Sequence, residues 1–158
     1  TDVFRLRTDR PSDKETLVAT RAAESSPAVS PDGRWLAFLA DDTGRFEVYV
    51  VPYGRPEPRR QISRDGALPA VRWTKRGAEL CYRSGASIEC AGIGDDGGAA
   101  GAPRRVLTAP AASGSWDVSP DGKRFYLLRS DNEGRLATAP IQVVLNWFEE
   151  LKRLVPAK

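Results

Sequence analysis

One turn pattern recurs along this chain at a nearly fixed interval, and that interval limits the folds open to it. Ser30-Pro31-Asp32-Gly33 precedes Trp35-Leu36-Ala37-Phe38, and Ser119-Pro120-Asp121-Gly122 precedes Phe125-Tyr126-Leu127. Between them, Thr74-Lys75-Arg76-Gly77 precedes Leu80-Cys81-Tyr82. Gly33, Gly77 and Gly122 lie 44 and 45 residues apart. Self-similarity at a period of about 40–50 residues, with strand-like content in each unit, marks propeller blades: small antiparallel sheets whose faces are covered by their neighbours.

The turn residues have distinct jobs. Pro31 and Pro120 preset φ near −65° for the first turn position. Asp32 and Asp121 offer a carboxylate to neighbouring backbone, and Gly33 and Gly122 take the positive φ that reverses the chain. The middle copy keeps only Gly77. The runs after the first and last turns are apolar on consecutive residues, as in strands buried on both faces. Third strands are expected over Phe46–Val51, Ser87–Ile93 and Ile141–Leu145, and short fourth strands over Arg60–Ile62 and Arg105–Leu107. Asp2–Leu6 and Glu15–Thr20 read as the third and fourth strands of an earlier blade. The expected fold is all-β, a partial β-propeller of about three and a half four-stranded blades. A half blade covers 1–22, and blades cover about 23–66, 67–112 and 113–145.

A short C-terminal α-helix is expected over 146–155. Asn146 is a good N-cap, with Glu149 three residues on. Trp147, Leu151 and Leu154 share one face, which Phe148 widens. So short a helix is unstable alone in water, so this face is expected to dock on the last blade or on a partner.

Cys81 and Cys90 flank Gly85-Ala86, acceptable chemistry for a two-residue hairpin turn. That register sets Cys81 opposite Cys90 at a site where side chains of paired strands come closest. A disulfide is geometrically allowed; two buried thiols are the alternative, and a one-residue slip would part them.

Much chemistry is excluded. The chain has no His, which removes the Ser-His-Asp triad, the Cys-His pair and the commonest metal ligand. Nucleophile-elbow, kinase and P-loop motifs are missing. Asp41-Asp42-Thr43-Gly44 and Asp95-Asp96-Gly97-Gly98 lack calcium-loop spacing and read as turns. No catalytic, cofactor or metal site is expected. Net charge is +3, with Lys and Arg spread along the chain and no concentrated stripe, so no nucleic acid is expected either. No apolar run approaches the ~20 residues of a membrane helix, so direct membrane insertion is not expected.

These segments resemble the TolB-type family of WD-like propeller repeats. The likeness rests on Ser30-Pro31-Asp32-Gly33 with Trp35–Phe38, on Phe46-Glu47-Val48-Tyr49-Val50, and on Val118-Ser119-Pro120-Asp121-Gly122, and it covers nearly the whole chain. Val143–Pro156 is similar to the C-terminus of many bacterial propeller proteins. Several of those resemble the sensor portion of membrane-bound serine/threonine kinases, with the kinase domain upstream. The resemblance implies that Lys158 lies at or near the natural C-terminus. It also implies a propeller outside the cytoplasmic membrane, on the periplasmic or cell-surface side. The chain departs from the family pattern at Lys75-Arg76 and in the glycine-rich loop Gly94–Gly101.

The function expected is that of a noncatalytic interaction or sensing module, the C-terminal part of a larger bacterial protein. The alternative is an accessory propeller that positions or gates substrate for a kinase or peptidase domain elsewhere on the chain. The chain has no Met and falls short of the about 4–8 blades of a closed ring, so an excerpt is expected, with further blades upstream. A ring assembled from several copies is the alternative. The expected partner is a protein or the missing blades, and an open apolar face predicts self-association of the isolated chain.

Overall fold

Residues 1–108 and 115–128 are described by a computed structural model. The helix expected over 146–155, with Trp147, Phe148, Leu151 and Leu154, and the strand expected over 141–145 lie outside the described residues.

The chain opens with an antiparallel pair, β1 (Val3–Leu6) and β2 (Lys14–Val18). A sheet follows in chain order: β3 (Glu24–Val29), β4 (Trp35–Ala40), β5 (Glu47–Pro52) and β6 (Arg60–Gln61). A second sheet repeats it with β7 (Leu68–Thr74), β8 (Glu79–Ser84), β9 (Ser87–Gly92) and β10 (Arg104–Thr108). Every pairing within these sheets is antiparallel. A last pair, β11 (Trp116–Val118) and β12 (Phe125–Leu127), occupies the same phase of the repeat as β3–β4 and β7–β8.

The consecutive apolar run of β4 has a direct structural reason. Successive side chains of a strand point to opposite faces, and both faces of β4 are covered. Leu36, Phe38 and Ala40 pack with Val3, Leu17 and Val18 of the first pair. Trp35, Ala37 and Leu39 pack with Val71, Leu80 and Tyr82 of the second sheet. Cys81, Ile88 and Cys90, on the far side of the second sheet, pack with Trp116 and Val118. Each fully buried Leu or Phe in these layers contributes roughly 1.5–3 kcal/mol relative to exposure. The core is therefore a series of layers between sheets, the arrangement of consecutive propeller blades.

The first strands of successive units stand side by side. Trp73 Nε1 donates to the Ala28 carbonyl at 2.9 Å, and Thr74 Oγ1 lies 3.3 Å from the Ser119 carbonyl. β3 and β7 are bulged at matching points, and the bulges hold Ser26 and Ala70 at φ of 52° and 80°. The Ala70 N–H donates to Ser26 Oγ at 3.2 Å, tying one bulge to the other.

Candidate functional site: a row of turns at one end of the stack

In an antiparallel meander, connections alternate between the two ends of the sheet. The β3–β4 turn and β5–β6 loop thus share an end with their counterparts, the β7–β8 turn, the β9–β10 loop and the β11–β12 turn. The β4–β5 and β8–β9 hairpins and the β6–β7 connection lie at the other end, where Ser84 Oγ meets the Asp65 carbonyl at 3.5 Å.

Two of the turns satisfy themselves in the same way. Ser30 Oγ donates to Asp32 Oδ1 at 2.5 Å and accepts from the Trp35 N–H at 2.9 Å. Asp32 Oδ1 also accepts the Arg34 N–H at 3.1 Å. In the last pair, Ser119 Oγ donates to Asp121 at 2.5 Å and accepts the Arg124 N–H at 2.9 Å, while the Lys123 N–H reaches Asp121 at 3.0 Å. These hydrogen bonds hold both carboxyls below the ordinary carboxylate range, the serine hydroxyl most strongly and the backbone N–H next. Gly33 and Gly122 close the turns at φ of 71° and 73°. Pro31 and Pro120 stand at the first turn positions, on the surface.

The middle turn is built otherwise. Lys75–Gly77 is a single 3₁₀ turn. Lys75 and Arg76 sit at φ of 49° and 56°, left-handed positions that cost a non-glycine residue on the order of 1–3 kcal/mol. Without an Asp, the turn is anchored from outside. The Lys75 N–H and Thr74 Oγ1 donate to the Pro120 carbonyl at 2.8 and 3.1 Å. Close approach then demands glycine on both sides. A Cβ at Gly77 would lie 3.2 Å from Asp32 Oδ1, and one at Gly122 would lie 2.9 Å from Thr74 Oγ1. The three turns are thus packed in line.

Behind this row lies Glu79, buried on β8. Its Oε1 accepts from Lys75 Nζ and Arg104 Nη2, each at 3.0 Å. Burial is the largest single influence on this carboxyl and pushes its pKa up, but the two cations together outweigh it and hold the pKa below the ordinary value. Its Oε2 has no hydrogen-bond partner among the described residues. The Glu79 carboxylate and the sulfurs of Cys81 and Cys90 lie within 4.8 Å of one another. The sulfurs are joined in a disulfide, so they offer no thiolates, and the carboxylate already holds two cations. This cluster does not have the donor chemistry of a metal site.

The two acidic turns are also engaged. The Asp96 carboxylate accepts the Gly98 N–H at 3.0 Å, and Asp95 meets Arg34 at 3.4 Å. Gly97 lies against Trp35, where a Cβ would come within 2.5 Å of the indole. At the opposite end, Asp41 accepts the Ala23 N–H at 2.7 Å and Asp42 pairs with Arg59.

A cleft of about 570 Å³ opens between the sheets and is lined in part by Ile62, Arg64, Tyr82, Glu89 and Pro103. The Tyr82 hydroxyl donates to Glu89 at 3.3 Å. Burial, with the Glu89 charge second, pushes the phenol pKa up, so this group is a hydrogen-bond donor and not a base.

The turn end also carries exposed positive charge. Arg34, Lys75, Arg76 and Lys123 all project from the row. Arg76 and Lys123 have no ion pair among the described residues. Read along the chain these cations are scattered; aligned on the repeat, all of them fall within two residues of a turn glycine, and that alignment is the signal that could have found them.

No protein-family model matches this sequence, and no curated protein matches it either. Solved structures do. TolB from Acinetobacter baumannii superposes with a TM-score of 0.58 at 20% identity, covering 75% of this chain and 29% of that one. A TolB candidate from Agrobacterium tumefaciens superposes with a TM-score of 0.57 at 17% identity, covering 82% of this chain and 51% of that one. The chain thus spans about a third to a half of these relatives. Two four-stranded sheets and two flanking pairs, stacked face to face with their first strands adjacent, have the TolB-like β-propeller fold.

Proposed function

We propose that this chain is a noncatalytic interaction module, a portion of a propeller that receives another protein at its turn end. One observation carries the reading: a row of exposed turns stands on a rigid apolar stack, and two of its cations, Arg76 and Lys123, have no ion pair among the described residues. Binding residues sit on loops held by such scaffolds. In this reading Pro31, Asp32, Gly33, Gly77, Pro120, Asp121 and Gly122 are scaffold and not contact residues. The repeat resemblance supports placing the module in the C-terminal part of a larger bacterial protein, as a sensing element outside the cytoplasmic membrane. The closed Cys81–Cys90 bond favours that placement, because disulfides persist in oxidising compartments. No helix among the described residues is long and apolar enough to cross a membrane.

The test is end-specific crosslinking in the native cell. A photo-crosslinking residue replaces Arg34 or Lys123 at one end, and Thr43 or Ala86 at the other. Protein adducts are expected from the first two positions alone. Adducts from the opposite end alone would refute the reading.

A further inference from the structure

The cationic turns give that interaction a chemistry. We propose that Arg34, Lys75, Arg76 and Lys123 form a docking surface for an acidic segment of a partner protein. The proposal rests on the module reading above and adds the charge of the partner.

The argument begins with the middle turn. Where the flanking turns carry Pro-Asp, this one carries Lys75-Arg76. The exchange gives up the internal carboxylate anchor and holds two non-glycine residues in left-handed backbone. Local structure gains from it only the Lys75–Glu79 ion pair, and the turn must borrow the Pro120 carbonyl of its neighbour for support. What it gains is charge at the centre of the row. Arg34 and Lys123 then flank that centre from equivalent positions of the adjacent turns, and contacts between Gly77 and Asp32 and between Gly122 and Thr74 keep the three turns together.

The negative groups of this end have partners, Asp96 among them through the Gly98 N–H and, at 3.8 Å, Arg60. Asp32 and Asp121 are held by their own turns, and Glu79 is buried under Lys75 and Arg104. Asp95 does meet Arg34, but at 3.4 Å with its side chain 99% exposed, an ion pair of the weakest sort. The opposite end mixes signs, with Asp41, Asp42 and Asp65 set among Arg21, Arg45 and Arg64. An acidic segment is therefore drawn to the cations grouped on the three packed turns.

A protein carboxylate fits better than a nucleic acid. Single-stranded nucleic acids are held by aromatic rings on which bases stack. The tryptophans nearest this row are turned inward: Trp35 lies under Gly97, and Trp73 hydrogen-bonds the Ala28 carbonyl. Guanidinium groups such as Arg34 and Arg76 match carboxylates in a two-pronged geometry.

The experiment is fluorescence anisotropy of a fluorescein-labelled octaglutamate peptide with the full chain, at low and raised salt. Binding is expected, weakening as salt rises. The double substitution Arg76→Gln/Lys123→Gln is expected to weaken it about tenfold or more. The charge-matched substitution Arg21→Gln/Arg64→Gln at the other end should leave it unchanged, and the charge-keeping Arg76→Lys/Lys123→Arg should bind like the parent even if the first variant folds poorly. Equal weakening by the Arg21/Arg64 variant would overturn the proposal, because only net charge would then matter. Tighter binding of an oligothymidylate of equal charge, lost with the same two side chains, would overturn the partner class. Absence of octaglutamate binding would overturn the proposal too, while turn-end crosslinks would still uphold the module reading.

Discussion

The junction between the two four-stranded sheets and the junction between the second sheet and the last pair solve one problem by different means. The first is a continuous apolar layer from Trp35 through Leu39, Val50 and Val71 to Leu80 and Tyr82. The second is smaller. It sets a disulfide and Ile88 against Trp116 and Val118, and it is edged by a buried, ion-paired Glu79. Trp116 Nε1 has no partner among the described residues, a further cost at this junction. The first junction therefore depends on how well volume is filled. The second depends on a covalent link and on a buried ion pair, so it should respond to reductant, and to acid through Glu79.

The largest expected effect is at the first junction. Leu80 is 0% exposed, and Leu80→Ala should cost about 2–5 kcal/mol in urea unfolding, by lost transfer energy plus the cavity left behind. A cost below about 1 kcal/mol would mean that this layer collapses around the gap and is not the well-packed joint described.

A smaller, differently placed effect is expected from Cys81→Ala/Cys90→Ala. Closing so short a hairpin loop stabilises by about 2–3 kcal/mol in the chain-entropy account. Hydrogen exchange should rise at β8, β9 and β11 and stay low in β4. A matching rise in β4 would erase the distinction between the junctions.

The mildest effect is acidic. The Glu79 carboxyl has a folded pKa below its ordinary value of 4.5. Its stabilising contribution is thus present above the unfolded-chain value and is lost as pH falls through the lower folded value. Parent and Glu79→Gln should differ in Tm near neutral pH and converge on acidification. A difference that stays constant with pH would remove Glu79 from the account of the second junction.

How much of this could be read in advance depends on where a residue's partners lie. The blade pattern was legible because a Ser-Pro-Asp-Gly turn is satisfied within six residues, and because a strand covered on both faces must be apolar throughout. The bulges at Ser26 and Ala70 were not, since neither position carries the glycine that signals left-handed backbone. In the sequence Lys75-Arg76 shows only a turn that has lost its Pro-Asp, because its anchor, the Pro120 carbonyl, lies in the next unit. The candidate site was the least legible part. Its cations are far apart in sequence, and only the stacking of turns whose glycines recur at 44 and 45 residues brings Arg34, Arg76 and Lys123 to one end. The buried Glu79 is hidden in the sequence because its second cation, Arg104, comes from an outer strand 25 residues away.

The self-contained hydrogen bonding of the two Ser-Pro-Asp-Gly turns has a consequence for how such a surface can change over time. Arg34 and Lys123 contribute only their backbone N–H groups to the knot that closes each turn. Their side chains can therefore be swapped for almost any other without loosening it. Each such turn is a portable mount with one interchangeable fitting, and a lineage can retune what the rim attracts while the masonry beneath stays as it was.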